Sequence, residues 1–382
     1  MKIVIAIDSF KGSLASISAG NISAVAIKNV IPAASIKVYP LADGGEGTVD
    51  ALTSGLNGKV ISLDVTGPLG AKVHSRYGKI NQTAIIEMAD AAGLTLVPEA
   101  QRNPLNTTTY GLGELILRAA EDGCREFIIG IGGSATNDCG LGMLTALGFE
   151  FRENHGFKSG VFGRDLQNIS ELDSSKLNPI IKECKFKIAC DVNNPLTGPN
   201  GCSAIYGPQK GATDDIVSQM DNWIANFAKL SAETLGIEEL SIPGDGAAGG
   251  LGFAFRTFLN GELVKGVDLL LDLIDIADEL RDADLLITGE GRLDGQSVMG
   301  KAPVGVAKLA KSINEKIVTV AVAGCATNEA VKVHEAGIDT YFPILQAPMS
   351  IEEAMKTEVA ELNLARTVEE IIRLCVAQRK LL

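Results

Sequence analysis

Short apolar runs and longer segments with one apolar face alternate at both ends of this chain. The run KIVIAI (2–7) is continuously apolar after its first residue, as expected for a buried parallel strand. A helical pattern follows, and SIKVYPL (35–41) predicts a second strand. Near the other end, ADLLITG (283–289) and KIVTVAVAG (316–324) predict strands on either side of a helix at about 302–314. This alternation predicts a three-layer α/β sheet.

The middle of the chain has a different pattern. Residues 60–90 alternate between apolar and polar positions, as antiparallel strands with one buried face do. A helix is predicted at about 110–122, followed by a strand that leads into a glycine loop, REFIIGIGG (125–133). FKIACDV (186–192) predicts a further strand that ends in an acid. The middle therefore predicts a second α/β region with a different architecture.

A chain of 382 residues has room for two domains. The two chain ends, 1–62 plus 275–382, predict one discontinuous Rossmann-like α/β domain. The segment 63–274 predicts a second α/β domain inserted in the chain. Because ligands of such proteins bind where loops of two domains meet, we expect the active site in the cleft between them.

Composition and charge exclude several classes of protein. The net charge of −13 and the pI of about 4.8 argue against non-specific nucleic-acid binding. No run of 18 apolar residues predicts a membrane helix. The seven cysteines form no C-x-x-C pair, and the three histidines include no H-E-x-x-H, so a zinc hydrolase is not expected. The N-terminal apolar run is too short for a signal peptide, and we predict a cytoplasmic protein.

Glycine and charged residues collect in loops that follow predicted strands. Functional groups of parallel α/β sheets gather where strands end, so we expect these loops to converge on one site. They are DSFKG (8–12), DGGEG (43–47), GIGGSATND (130–138), CDVNNPLTG (190–198) and TGEGRLDGQSVMGK (288–301).

The loop GIGGSATND is compatible with three interpretations. As an anion loop, Gly132, Gly133 and Ser134 would bring backbone N–H groups to a phosphate, and the next helix would add its positive N-terminus. As a dinucleotide fingerprint it reads G-x-G-x-x-A, with Glu150 standing 20 residues after Gly130 as the ribose-binding acid. The third interpretation is a tight strand-to-helix turn.

The loop TGEGRLDGQSVMGK resembles a P-loop only in part. It contains G-x-x-x-x-G-K ending at Lys301, but the next residue is Ala302 and not the Ser or Thr that would hold magnesium. It still places a lysine at a predicted helix start, close in sequence to three other charged residues: Glu290, Arg292 and Asp294. A solvated charged loop is the alternative.

Five further residues are candidates, each with an ordinary alternative. Asp191 follows FKIAC directly and could accept a hydroxyl proton or bind a metal, or it could form an Asx turn or helix cap. Lys11 could bind a phosphate or carboxylate, or be solvated. Thr107 could donate its hydroxyl to a ligand or cap the helix that follows. Asp43 and Glu46 could hold Mg²⁺, or lie in an exposed turn.

Glycine loops with carboxylates and a few cations are what phosphoryl transfer requires, and a magnesium-nucleotide enzyme is our first hypothesis. A nicotinamide-dependent dehydrogenase stays open because of the G-x-G-x-x-A pattern. A non-catalytic small-molecule sensor on the same fold is a third hypothesis. A further lysine, Lys210, lies in the glycine loop YGPQKGA (206–212), which we interpret as plain turn chemistry in preference to a phosphate contact.

Eight motifs, in order along nearly the whole chain, resemble the bacterial glycerate kinase family of the glycerate 2-kinase type. They are DSFKGSL, PLADGGEGT, NPLNTTTYGLGELI, GIGGSATNDCGLGML, CDVNNPLTG, YGPQKGA, PGDGAAGGLG and TGEGRLDGQS-x-x-GKAP. Ile7 stands where the family's opening A-P-D-S-F-K has proline. The resemblance implies ATP-dependent phosphorylation of D-glycerate with Mg²⁺, in a two-domain α/β fold, and favours 2-phosphoglycerate as product.

With this reaction in view, we assign roles as hypotheses. Asp191 is the candidate base, and Lys11 and Arg292 would bind the glycerate carboxylate or stabilise the transferring phosphoryl group. The metal and ribose candidates are Asp43, Glu46, Glu290 and Asp294. The other substrate- and phosphate-binding candidates are Ser9, Thr107, Gly132, Gly133, Ser134 and Lys301. We expect a monomer or homodimer that binds D-glycerate and a nucleotide, with neither nucleic acid nor membrane as partner.

Overall fold

The structure is a computed structural model that describes residues 1–10, 12–42, 45, 47–295, 297–299 and 301–378. The candidates Lys11, Asp43 and Glu46 lie outside the described residues. The chain divides into two compact units. Unit 1 comprises Met1–Asp43, Asp50–Asn57 and Val267–Leu382, and unit 2 comprises Gly44–Val49 and Gly58–Gly266. The predicted domain limits, and the cleft between the domains, stay predictions.

The secondary structure mixes strands and helices throughout, which confirms the predicted α/β class. The strands are β1 (Lys2–Ile7), β2 (Ser35–Pro40), β3 (Lys59–Thr66), β4 (Lys72–Ile80), β5 (Thr83–Glu87), β6 (Glu126–Gly130), β7 (Glu150–Glu153), β8 (Ile169–Asp173), β9 (Lys185–Ala189), β10 (Glu262–Val264), β11 (Leu285–Leu293), β12 (Val318–Ala326) and β13 (Thr340–Pro343). The α-helices are α1 (Ser16–Val30), α2 (Thr48–Gly55), α3 (Ala89–Ala92), α4 (Tyr110–Glu121), α5 (Leu141–Leu147), α6 (Cys202–Tyr206), α7 (Asp214–Leu235), α8 (Leu251–Leu259), α9 (Gly266–Ile274), α10 (Ala277–Leu280), α11 (Ala302–Ile313), α12 (Ile351–Ala354) and α13 (Thr357–Gln378).

Unit 1 is built on a parallel sheet with the strand order β13-β12-β11-β1-β2. Successive side chains of a strand point to opposite faces, and β12 shows the consequence. Val322 belongs to the same buried cluster as Ile27 of α1 and Ile372 of α13. Its neighbour Ala321 belongs to a second cluster with Val304 of α11. Helices therefore cover both faces, in the three-layer arrangement that the sequence predicts.

The strand order of unit 1 reverses between β1 and β11. The chain continues from β1 to β2 on one side, whereas β11, β12 and β13 follow one another on the other side. The backbone N–H of Asp8, directly after β1, donates to the carbonyl oxygen of Gly289 in β11 over 2.8 Å. Open α/β sheets bind ligands outside the carboxyl ends of the strands at such a reversal. The ends of β1 and β11 are thus the expected position of a site in unit 1.

Unit 2 contains a six-stranded sheet with the order β10-β9-β6-β5-β4-β3. Strands β5, β6, β9 and β10 are parallel, while β4 is antiparallel to both β3 and β5. The alternating segment 60–90 therefore forms antiparallel strands, as predicted. Because β5, β6 and β9 run in the same direction, Glu87, Gly130 and Ala189 end at one edge of this sheet. Strands β7 and β8 pair in a separate sheet.

None of the helices in the described part of the chain is both long enough and apolar enough to cross a membrane.

Candidate active site

Strand β11 of unit 1 carries charged residues beyond its apolar segment. The apolar run ends at Thr288, but β11 continues to Leu293 because its neighbour β12 also continues. Glu290 pairs with Ala323 and Arg292 with Cys325. As alternate residues of one strand, Glu290 and Arg292 project on the same face. The strand thus carries an acidic and a cationic side chain on the same face near its carboxyl end.

These two residues meet Asp294 and Lys301 in a group that we call the edge cluster: Glu290, Arg292, Asp294 and Lys301. The Lys301 Nζ lies 3.4 Å from Glu290 Oε2 and 3.5 Å from Asp294 Oδ1. Arg292 Nε lies 3.7 Å from Asp294 Oδ2. Arg292 is exposed and Lys301 is partly exposed. The structure therefore brings together all four charged candidates of this loop, with both cations open to solvent.

Glu290 is the buried member of the edge cluster, with 7% of its surface exposed. Its Oε1 accepts a hydrogen bond from Ser297 Oγ over 2.7 Å. Burial raises the pKa of this carboxyl group, while the hydrogen bond from Ser297 and the charge of Lys301 lower it. Sequence reasoning missed Ser297, although its place in the GQS motif was a signal. Its hydroxyl also accepts the backbone N–H of Asp294 over 3.1 Å and so fixes the turn.

The residues after β1 lie beside this cluster on the neighbouring strand. Ile7 pairs with Gly289, which places Asp8 and Ser9 next to the strand end that carries Glu290. Asp8 is buried, and its Oδ1 accepts the backbone N–H of Ser9 over 2.6 Å. Asp8 was not among the predicted site residues. A buried carboxylate at the carboxyl end of a central strand is a candidate for this site.

In unit 2 the loop after β6 opens two glycines to solvent. Gly132 and Gly133 are exposed, whereas the next residues, from Ser134 to Gly140, are buried. A Cβ atom added at Gly132 would meet nothing within 4 Å. The backbone at these two glycines is therefore accessible to a ligand, as the anion-loop interpretation requires.

The helix predicted to assist this loop does not do so. Helix α5 begins only at Leu141, and the buried carboxylate of Asp138 accepts the N–H groups of Gly140 and Gly142, each over 3.3 Å. Asp138 also accepts the Thr109 hydroxyl over 2.7 Å. Burial raises the pKa of Asp138, and these hydrogen bonds oppose the rise. Since a protein carboxylate occupies the helix N-terminus, the predicted contribution of that terminus to anion binding is wrong.

A buried lysine supports the same loop from within, in a group that we call the buried cluster: Lys210, Ser134 and Thr136. Lys210 is 2% exposed, and its Nζ donates to Ser134 Oγ over 2.7 Å and to the Thr136 carbonyl oxygen over 2.6 Å. Burial lowers the pKa of Lys210 to about 8. The interpretation of Lys210 as plain turn chemistry missed these contacts. Ser134, a predicted phosphate ligand, binds this lysine.

Thr107 and Asp191 both have partners within the protein. Thr107 is buried, and its hydroxyl lies 3.2 Å from the carbonyl oxygens of Pro104 and Ala135. It therefore joins two loops and does not cap the following helix. Asp191 is exposed after β9, and its Oδ1 accepts the backbone N–H of Gly266, the first residue of α9, over 3.0 Å. Asp191 therefore holds the first N–H of α9 from a distant segment, and its role as a base stays a prediction.

The dinucleotide fingerprint loses its structural basis. In a dinucleotide-binding fold, the ribose-binding acid lies at the end of the second strand of the same parallel sheet that carries the glycine loop. Glu150 instead begins β7, which pairs with β8 in a separate sheet. Its carboxylate lies 2.7 Å from Lys176 Nζ and 3.2 Å from Arg152 Nη2. Glu150 is therefore an ion-paired residue of a small separate sheet.

The described residues contain no group of three or more His, Cys, Asp or Glu side chains that could hold a metal ion. The edge cluster supplies a pair of carboxylates, Glu290 and Asp294, on either side of Lys301. Magnesium bound with a nucleotide commonly takes one or two protein carboxylates, and phosphate and water complete its shell. The binding of Mg²⁺ by this pair stays a prediction.

Fold and site together define a class. A three-layer sheet that collects acids and cations outside the carboxyl ends of β1 and β11 is the framework of an α/β enzyme acting on small charged substrates.

Comparison with known proteins places the chain within that class. A family model described as the glycerate kinase family matches residues 3–376, and the chain belongs to this family. It is 45% identical over 373 residues to a glycerate kinase of Bacillus subtilis, covering 97% of each chain. It is 43% identical over 358 residues to the glycerate 2-kinase of Escherichia coli, covering 93% of each. A solved structure of a candidate glycerate kinase 2 from Salmonella typhimurium shares 40% identity and a TM-score of 0.92, over 100% of this chain and 99% of that one.

These matches confirm the resemblance drawn from the eight motifs, and with it the prediction of a kinase. They do not test the roles of individual residues, which stay predictions.

Proposed function

We propose that this chain transfers the γ-phosphoryl group of ATP to the 2-hydroxyl of D-glycerate and forms 2-phosphoglycerate and ADP. The observation that carries the proposal is the edge cluster, in which two cations and two carboxylates meet at the strand reversal of unit 1. Phosphoryl transfer depends on positioning and on neutralising charge, which such a group can supply. Membership of the glycerate kinase family and the name of the E. coli relative support the substrate and the product.

Lys301 and Arg292 are the proposed contacts of the transferring phosphoryl group. Both are cations open to solvent, and Lys301 is the N-cap residue of α11, whose side chain makes no capping hydrogen bond. The two carboxylates beside Lys301 hold its ammonium group in place before a substrate arrives. A phosphate could accept a charge-assisted hydrogen bond from this ammonium group. Glu290 and Asp294 would hold Mg²⁺, which would neutralise part of the phosphate charge.

Asp191 is the proposed base for the substrate hydroxyl, and Gly132 and Gly133 are the proposed backbone contacts of an anionic group of the substrate. The hydrogen bond from Gly266 fixes the direction of the Asp191 carboxylate. The exposed backbone of the two glycines supports their assignment. Lys11 is proposed for the glycerate carboxylate from its place in the DSFKG motif. Location in the cytoplasm and a monomeric or homodimeric state stay predictions.

A coupled ADP-release assay tests the proposed reaction. It needs ATP and Mg²⁺ with and without D-glycerate and EDTA, and ³¹P NMR of the product. We expect ADP release that requires both glycerate and the metal. The phosphorus of 2-phosphoglycerate couples to the single proton on C2, whereas 3-phosphoglycerate shows coupling to the C3 methylene. A folded sample that releases no ADP would refute the reaction, and methylene coupling would refute the 2-position.

The base assignment is tested by Asp191→Asn. Asparagine keeps an oxygen that can accept the Gly266 N–H but cannot take a proton, so α9 stays capped. We expect kcat to fall roughly 10²- to 10⁴-fold with little change in stability. The matched control is Asp173→Asn, because Asp173 Oδ1 likewise accepts a backbone N–H, from Ser175 over 2.8 Å. Near-normal turnover of Asp191→Asn would leave Asp191 as a helix cap only.

A further inference from the structure

The motif PGDGAAGGLG (243–252) of unit 2 has no role in the proposed reaction, although it is one of the eight family motifs. Its contacts divide it into two halves. The first half, 244–246, contacts the loop after β9, which we call the Asp191 loop (190–196). The second half, 249–250, contacts the loop after β6, which we call the glycine loop (130–139). The motif therefore touches both of the unit 2 loops that the proposed reaction uses.

The first half holds the backbone of the Asp191 loop. The N–H groups of Gly244 and Gly246 both donate to the carbonyl oxygen of Asn194, over 3.2 and 3.0 Å. A Cβ atom at Gly246 would lie 2.2 Å from the carbonyl oxygen of Pro195, so only glycine allows this approach. The Cys190 Sγ lies 3.9 Å from the carbonyl oxygen of Gly244. These contacts hold the loop on both sides of its acid.

A buried ion pair anchors the first half. Asp245 is 0% exposed, and its two carboxylate oxygens accept Nε and Nη2 of Arg256 over 2.9 and 2.7 Å. Its Oδ2 also accepts the N–H of Ile242 over 2.8 Å. A carboxylate bound by two N–H groups of one guanidinium has a fixed orientation. Because Arg256 belongs to α8, which is buried along most of its length, the first half is fixed to the core of unit 2.

The second half packs equally closely on the glycine loop. The carbonyl oxygen of Gly249 accepts the N–H of Cys139 over 3.0 Å. A Cβ atom at Gly249 would lie 2.1 Å from the carbonyl oxygen of Thr136, and one at Gly250 would lie 2.9 Å from the Cα of Cys139. Both glycines also have positive φ, +70° and +90°. Backbone packs on backbone here, and any side chain would push the glycine loop away.

The connection between the two halves is short and strained. Only Ala247 and Ala248 separate Gly246 from Gly249. Ala248 has φ +53°, a left-handed conformation that residues with a Cβ atom seldom adopt. Such a conformation persists where the surrounding contacts impose it. The two loops are therefore held at a fixed separation.

We propose that this motif is a positioning element for phosphoryl transfer. By holding both loops at once, it sets the position of the proposed base, Asp191, relative to a substrate anion on Gly132 and Gly133. A base must lie within hydrogen-bond reach of the hydroxyl that it deprotonates, so a small displacement of one loop lowers the rate. This inference rests on the proposed function, and the experiments below separate the two.

Gly246→Ala tests the first half, because its Cβ atom would displace the Asp191 loop at Pro195. We expect kcat to fall roughly ten- to a hundredfold with little change in the KM for D-glycerate. In the Asp191→Asn background the same substitution should cause no further fall, since the base through which it acts is absent. The matched control is Gly111→Ala, whose Cβ atom would lie 2.0 Å from the carbonyl oxygen of Thr66 in β3. It should lower stability and leave kcat of the folded enzyme unchanged.

Gly249→Ala tests the second half and should have a different kinetic signature. Its Cβ atom would displace the glycine loop at Thr136, so the KM for the substrate whose anionic group binds there should rise. This rise should persist in the Asp191→Asn background. The matched control is Gly148→Ala, which also has positive φ, +110°, and whose Cβ atom would lie 2.5 Å from the carbonyl oxygen of Lys176. Unchanged KM values in Gly249→Ala would overturn the role of the second half.

The thiol of Cys190 provides a measurement that does not depend on the reaction. Cys190 and Cys184 are both half-buried, directly after and directly before β9. We expect N-ethylmaleimide to modify Cys190 several-fold faster in Gly246→Ala than in the wild type, and Cys184 at an unchanged rate. Peptide mass spectrometry measures both rates. Arg256→Lys, which replaces the two-point contact with Asp245 by a single one, should have the same effects if Gly246→Ala proves too unstable.

The outcomes distinguish the positioning element from the reaction. Unchanged Cys190 modification and unchanged kcat in Gly246→Ala would overturn the positioning element and leave the reaction standing. An equal fall of kcat with and without Asp191 would overturn the action through this base. A wild-type enzyme that releases no ADP with D-glycerate would refute the reaction, whereas faster modification of Cys190 in Gly246→Ala would still support the motif as the element that holds the Asp191 loop.

Discussion

Lys301 and Lys210 follow similar glycine-rich segments, and the structure gives them opposite surroundings. Lys301 is partly exposed, and its ammonium group faces the carboxylates of Glu290 and Asp294. Lys210 is 2% exposed and donates to a hydroxyl and a backbone carbonyl oxygen. The first lysine is paired with groups that a substrate can displace. The second lysine, Lys210, stabilises the loop that contains Ser134 and Thr136.

The difference teaches that glycine and charge in a loop do not by themselves define a binding residue. What decides is whether the ammonium group can exchange its partners for a ligand. The pKa of Lys210 is lowered to about 8 by burial, which shows that its surroundings disfavour a charge. We therefore interpret Lys301 as a group that acts on substrate and Lys210 as a group that stabilises the loop beside Gly132 and Gly133. The four predictions below test this contrast, beginning with the largest effect.

Lys301→Met should abolish most activity. Removing one preorganised charged donor from a transition state typically lowers kcat roughly 10²- to 10³-fold. Stability should change little, because Glu290 keeps its hydrogen bond from Ser297. Steady-state kinetics and thermal unfolding measure the two effects. The control is Lys308→Met, an exposed lysine on the same helix. Full activity in Lys301→Met would show that Lys301 does not act on substrate.

Lys210→Met should lower the free energy of unfolding by about 2 kcal/mol. The change leaves the Ser134 hydroxyl and the Thr136 carbonyl oxygen without their buried donor, and an unsatisfied buried polar group costs roughly 1–3 kcal/mol. Urea unfolding measures the loss, with the exposed Lys229→Met on α7 as control. If Lys210→Met kept its stability but lost most of its kcat, Lys210 would act on substrate, and the role assigned to it as a loop-stabilising residue would be wrong.

The stability of the wild-type protein should also depend on pH through Lys210. Its folded-state pKa of about 8 lies below the ordinary value of 10.5, so the unfolded state holds the proton more tightly. The contribution of Lys210 to the free energy of unfolding is then fully present above pH 10.5 and is lost as the pH falls through about 8. Between about pH 8 and 10.5, the wild type should therefore gain stability relative to Lys210→Met as the pH rises. The gain in unfolding free energy should be at most roughly 1.4 kcal/mol per pH unit. A difference that stays constant with pH would contradict the lowered pKa.

Gly132→Ala should have the smallest effect, confined to substrate binding. A Cβ atom at Gly132 meets no neighbour within 4 Å, so stability should stay within roughly 0.5 kcal/mol. The methyl group would crowd a ligand bound to the exposed backbone, and the KM for the substrate whose anionic group binds there should rise several-fold. Gly140→Ala is the contrasting variant, since Gly140 has φ +71° and a Cβ atom there would lie 2.5 Å from that of Ala254. It should lose stability. Unchanged KM values in Gly132→Ala would remove this glycine from the site.

Part of the site followed from local sequence alone. The strand predicted at 283–289 and the helix at about 302–314 correspond to β11 and α11, and the charged residues between them meet as the motif indicated. These residues are close in the chain, so one strand, one turn and one helix start bring them together. Sequence reasoning also recognised the family from the order of its motifs, which the family match over 3–376 confirms.

Other parts could not be predicted because they depend on distant segments. Asp138 is 29 residues from Thr109, whose hydroxyl and N–H it accepts, so the sequence around Asp138 did not indicate this partner. Lys210 reaches Ser134 across 76 residues. An apolar pocket in unit 1 is lined by Phe10, Gly324 and Leu345, which come from three distant segments of the chain. A local pattern contains no information on such partners.

The sequence by itself determined the alternation of strands and helices, the family and the set of charged loops. These depend on the period of apolar positions and on residue types within short segments. Only the tertiary structure decided which lysine meets solvent, which acid caps a helix and where apolar side chains line a pocket. The physical reason is that burial, and with it the cost of a charge, depends on which strands become neighbours in the sheet. Lys210 and Lys301 look alike in the sequence, and their surroundings make them different.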